Sequence, residues 1–117
     1  MAAEIPSDSN DGEPEYAPLS VLLIGLERVP VTLTGRAKIR NVTYAALTSA
    51  LLYVLRPDLI LCPLVHADFD AAQLILRLVA IGYGGRLTVI ADIPAPDLVA
   101  RELADMGPGI TVRVVRG

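Results

Sequence analysis

The stretch that most constrains the fold is residues 56–70, RPDLILCPLVHADFD. Arg56 and Pro57 close a helix-like pattern, and Leu59, Ile60 and Leu61 then form a strand-length run with no polar residue in it. A run apolar at every position, instead of at alternate ones, fits a strand covered on both faces, as in parallel sheets flanked by helices. Ligands and reactive groups collect beyond the carboxyl ends of such strands. Here that position holds Cys62, Pro63, His66, Asp68 and Asp70.

The flanking sequence repeats the alternation. Residues 19–26, LSVLLIGL, read as a first buried strand, interrupted by Glu27 and Arg28. Residues 29–34, VPVTLT, alternate, but Pro30 keeps them from a central strand because it cannot donate to the ladder. After Gly35, Arg36, Lys38 and Arg40 recur at period two. Extended, they point three cations to one side, either as a contact for an anion or acidic partner or as a charged sheet edge. Asn41 or Thr43 is the expected cap of a helix with Tyr44, Leu47, Leu51, Val54 and Leu55 on one side, stopped by Pro57.

A second helix is expected over residues 69–81, with Asp68 as its N-cap and Gly82 at its end. Gly82, Gly84 and Gly85 follow a helix and precede a strand, the reverse of a phosphate cradle, and read as a turn. Residues 86–91 form a strand, residues 96–106 a helix opened by Pro96, and residues 110–115 a last strand. Arg113 in that strand implies a sheet edge with one open face. The fold class is therefore α/β, a mostly parallel sheet with right-handed crossovers and about three helices.

Composition sets the boundaries. The 117 residues suffice for one core, placed at residues 19–117, behind an acidic segment 1–18 with the composition of a disordered tail. The apolar fraction is 53% and the mean hydropathy +0.52, yet no apolar run reaches the roughly 18 residues of a membrane span. The net charge is −3, with five acids and no base in residues 1–18, leaving eight acids against ten bases elsewhere. That balance speaks against nucleic acid as a partner. A single cysteine rules out an intrachain disulfide and fits a reducing, cytoplasmic setting, and no signal-peptide pattern opens the chain.

Residues 57–115 resemble the second half of a bacterial response-regulator receiver domain, with its flavodoxin-like, CheY-like fold. Pro57-Asp58-Leu59-Ile60-Leu61 is similar to the family's approach to its phospho-acceptor, and the strand at 87–91 and the helix ending at Met106-Gly107 follow at family spacing. The departures are specific. The phosphorylated Asp falls on Pro63, or on Cys62 if the register slips by one, and the acidic pair falls near Gly25 and Leu26 with only Glu27 close by. The Thr or Ser ending the fourth strand becomes Ala91 or Asp92, and the Lys ending the fifth falls near Val114, between Arg113 and Arg116. No phosphotransfer residue carries over. The resemblance thus implies a degenerate receiver: a non-phosphorylatable signalling and protein-interaction module, with no cofactor and no catalytic residue.

The competing expectation is a metal- or small-molecule-binding protein, conceivably an enzyme. Cys62, His66, Asp68 and Asp70, joined by Asp92 from the neighbouring strand, are of zinc-ligand type, and a Cys–His nucleophilic pair is the catalytic version. A last expectation concerns assembly. Three right-handed crossovers in one direction put all helices on one sheet face; residues 29–39, short and carrying Arg36 and Lys38, could cover part of the other apolar face, and a homodimer or a partner of similar size is expected to cover the remainder.

Overall fold

The computed structural model describes residues 20–26 and 38–116. The acidic segment 1–18, Glu27, the alternating segment 29–34 and Arg36 lie outside the described residues. The element order is β1 (Ser20–Ile24), β2 (Lys38–Val42), α1 (Ser49–Leu55), β3 (Leu59–Pro63), α2 (Ala71–Ile81), β4 (Arg86–Ile90), α3 (Pro96–Met106) and β5 (Thr111–Val115). Among the described residues the strands form one sheet in the order β2-β1-β3-β4-β5, every pair parallel. This is the flavodoxin-like arrangement, whose strand order reverses beside β1.

Burial follows position in the sheet. Val21 to Ile24 of β1 and Leu59 to Cys62 of β3 are buried at every residue, as strands covered on both faces must be. Toward the β5 edge the pattern becomes alternating, and Thr111 and Arg113 are exposed. Leu22, Ile24, Ile60, Cys62, Leu87, Val89 and Val114 turn to the helix layer, where Leu52 of α1, Leu74, Ile75 and Leu78 of α2, and Leu103 of α3 meet them in one core cluster. All three helices therefore cover one face, the outcome that right-handed crossovers in one direction require. α2 contributes most: Leu74, Ile75 and Leu78 are fully buried, each burial stabilising the fold by roughly 1.5–3 kcal/mol.

Val21, Leu23, Leu59 and Leu61 face the other way, and they are buried too. The apolar second face expected to be bare is thus covered within the single chain over β1 and β3. Among the described residues of this face, Asn41 on β2, Arg86 on β4, and Thr111 and Arg113 on β5 are exposed.

The first helix starts later than the periodicity predicts. Asn41 belongs to β2, and Thr43 caps only a single 3-10 turn, Tyr44–Ala46, its Oγ1 accepting from the Ala46 N–H at 3.2 Å. Leu47 then runs extended with its side chain fully buried, and Thr48 caps α1 through the Leu51 N–H at 3.1 Å. Two threonines, each offering a local oxygen to the backbone, split the predicted helix in two. α1 ends at Arg56 in the left-handed region, φ 45°, because Pro57 bars another right-handed turn. No helix among the described residues is long and apolar enough to cross a membrane.

Candidate functional site

Three connections meet at the carboxyl edge of the sheet: those following β1, β2 and β3. Gly25 follows β1 directly and has φ +78°, and an added Cβ there would lie 2.8 and 2.9 Å from two ring atoms of Phe69. Phe69 comes from the loop after β3 and is buried. Its ring stacks on Tyr44, from the turn after β2, at 4.8 Å between centroids and 10° between planes. His66 stacks against it as well, at 5.0 Å and 26°. The Arg77 guanidinium closes the column over Tyr44 at 5.1 Å, while its Nε and Nη2 donate to the Leu47 carbonyl at 3.0 and 2.6 Å.

The loop after β3 is tied to itself. The His66 N–H donates to the Phe69 carbonyl at 2.8 Å, the Ala71 N–H to the Leu64 carbonyl at 2.9 Å, and Val65 pairs antiparallel with Asp70. Phe69 is thereby held under the loop and Asp68 is left at its exposed tip. The Asp68 N–H donates to His66 Nδ1 at 3.1 Å.

This corrects the expected cap. Asp70, not Asp68, caps α2: its Oδ1 accepts from the Gln73 N–H at 2.7 Å, and Gln73 Oε1 accepts from the Asp70 N–H at 2.9 Å. The reciprocal pair is a capping box, written in the sequence as Asp70 and Gln73 three residues apart. Asp70→Ala is expected to lower stability by about 1 kcal/mol, and Asp68→Ala by less than about 0.5 kcal/mol, as for an exposed surface position. Urea unfolding of the two variants checks the assignment. A larger effect at Asp68 would reverse it.

The remaining candidates do not converge. Cys62 points into the helix-side core, fully buried, and burial pushes its thiol up to about 12. Such a thiol is neither a nucleophile nor a ready metal ligand. Asp92, after β4, pairs with Arg116 at 3.0 Å, both side chains being exposed. Among the described residues no three His, Cys, Asp or Glu side chains gather where a metal ion could sit. Lys38 and Arg40 are exposed on the edge strand β2, at positions that share one side of the sheet. Gly25, Tyr44, Phe69 and Arg77 are members of the site that sequence reasoning did not single out; of the stack, only His66 was among its candidates.

The chain matches no protein-family model, no curated protein and no solved structure. The site must therefore be read from its own chemistry. Directly over Gly25 the described residues place the rings of Phe69 and His66, the nearest atoms 2.8 and 3.1 Å from where a Cβ would sit.

The buried thiol has a pH consequence. Its pKa is raised on folding from an ordinary thiol's 9.0 to about 12, so the unfolded chain loses that proton first and stability falls as pH rises between those values. Burial raises Tyr83 to about 12 as well, and it acts in the same sense. Moving from pH 8 to about 10.5 is expected to lower stability by about 2 kcal/mol through Cys62. Urea midpoints at the two values measure it, and Cys62→Ala should flatten the dependence. An unchanged slope in that variant would place the thiol in water.

Proposed function

We propose that this chain is a receiver-like protein-interaction module of a cytoplasmic signalling pathway, and not an enzyme. The ring of Phe69 seated on Gly25 carries this reading. In sheets of this strand order ligands bind outside the carboxyl ends, at the reversal beside β1. Here that crevice is packed with Phe69, Tyr44 and His66. β3 ends in Cys62 and Pro63, a buried thiol and a ring without a nucleophile, where phosphotransfer needs an exposed carboxylate. Support for a binding role comes from α1, which leaves Tyr53 and Val54 72% and 75% exposed. Large apolar side chains side by side in water mark protein contacts. With the second face covered over β1 and β3, a protein other than a second copy is the partner this surface favours.

The test has two arms. Incubation with labelled acetyl phosphate and Mg²⁺ is expected to leave the chain unlabelled, and stoichiometric labelling would overturn the proposal. The tagged chain, drawn from its native host, is expected to retain a stoichiometric protein. Tyr53→Ser combined with Val54→Ser should weaken that retention at least about ten-fold, as loss of a central apolar contact does.

A further inference from the structure

The sheet face opposite the helices has a second, chemically distinct surface. β4 turns Arg86, Thr88 and Ile90 to it, and β5 turns Thr111, Arg113 and Val115. A groove of about 330 Å³ runs there, floored by Leu61, Ile90 and Val115 and rimmed by Arg86, Arg113 and Arg116. Among the described residues no acid lines it. Asp92 holds Arg116 at 3.0 Å, so Arg86 and Arg113 carry most of the groove's positive charge.

We infer that residues 1–18 of the same chain dock in this groove, their carboxylates against its arginines. Charge is the first reason: the segment holds Glu4, Asp8, Asp11, Glu13 and Glu15 and no base. A single exposed ion pair contributes little, but several pairs along an apolar floor, with Ile5 and Tyr16 to cover it, act together.

Attachment is the second. Ser20, where β1 begins, is clamped to the start of β3: its N–H donates to Asp58 Oδ2 at 2.9 Å, and the Asp58 N–H donates to its carbonyl at 2.7 Å. Val21, the next residue, lies in one row with Leu59, Arg86 and Thr111 across four strands. The acidic segment therefore joins the sheet one residue before the row in which Arg86 opens the groove. β4 is two strands from β1, about 10 Å away, against a reach of up to about 60 Å for eighteen extended residues. So short a tether supplies a millimolar-range effective concentration, and weak contacts then suffice.

Backbone chemistry is the third. Pro6, Pro14 and Pro18 favour extended chain and lack N–H donors. The face of a sheet, unlike its edge, offers side chains and asks for no ladder.

The test uses the full chain. Ser9→Cys provides an accessible thiol for a nitroxide label, since buried Cys62 will not react. The amide signals of Thr88, Arg113 and Val115 are expected to lose most of their intensity, while Gln73 and Arg77 on the helix layer keep theirs. Arg86→Glu with Arg113→Glu should restore the lost signals while leaving the core shifts unchanged. Mixing labelled chains with isotope-enriched unlabelled ones should produce no broadening. Uniform broadening, no broadening, indifference to charge reversal, or broadening only between chains would each overturn the inference, the last by giving the groove to a second copy.

Discussion

Gly25→Ala is expected to lower stability by about 3 kcal/mol, a large share of the roughly 5–15 kcal/mol that holds a domain together. Two costs add. Gly25 sits at φ +78°, where an L-residue loses roughly 1–2 kcal/mol. Its new Cβ would lie 2.8 Å from the Phe69 ring, well inside contact distance. The ring has nowhere to go, because Tyr44 stacks on it at 4.8 Å and His66 at 5.0 Å. Overpacking of that kind costs roughly 1–3 kcal/mol. Urea unfolding measures the sum, and Phe69→Leu in the same chain should recover the packing share but not the backbone share. A loss below about 1 kcal/mol would mean that the stack yields.

Phe69→Ala is expected to cost more, about 4 kcal/mol. The side chain is 3% exposed, so its removal leaves an apolar hole above Gly25. It also ends both stacking contacts, worth roughly 0.5–1.5 kcal/mol each beyond area. The two substitutions should not add: once the ring is gone, a methyl at position 25 meets no clash, and the double variant should be less unstable than the sum. The opened crevice is also expected to bind a benzene-sized molecule, as dry apolar cavities do. Calorimetry with a small aromatic reads this, and a variant that neither loses stability nor binds one would show that the loop had closed over the gap.

The fold was legible because strand and helix differ in period. The wholly apolar runs at 21–24 and 59–62 are the two strands buried on both faces, and alternation at 86–90 and 111–115 marks those nearer the open edge. Pro96 opens α3 and Gly82 closes α2 where each was expected. The stretch at 41–48 misled because Tyr44 and Leu47 also fit a helical spacing, while the threonines that break it look like ordinary helix caps. The site was less legible. Cys62, His66, Asp68 and Asp70 crowd together in sequence, but β3 sends Cys62 to the core, and the self-tied loop gives Asp70 to α2 and leaves Asp68 in water. A stack built from Tyr44, Phe69 and His66 joins residues up to 25 positions apart, and no periodicity encodes that.

The strand order also shapes how the protein can be made. β1 leaves the ribosome first, and β2 and β3 then add on either side of it, so no strand has to enter between two already paired. β4 and β5 extend the same side in turn. The covering layer arrives late, however. Leu22, Ile24, Ile60 and Cys62 wait for Leu74, Ile75 and Leu78 of α2 to shield them. A nascent chain halted before α2 has emerged would carry three paired strands whose helix-side apolar face is covered by α1 alone, the form in which unfinished sheets aggregate or are held by chaperones.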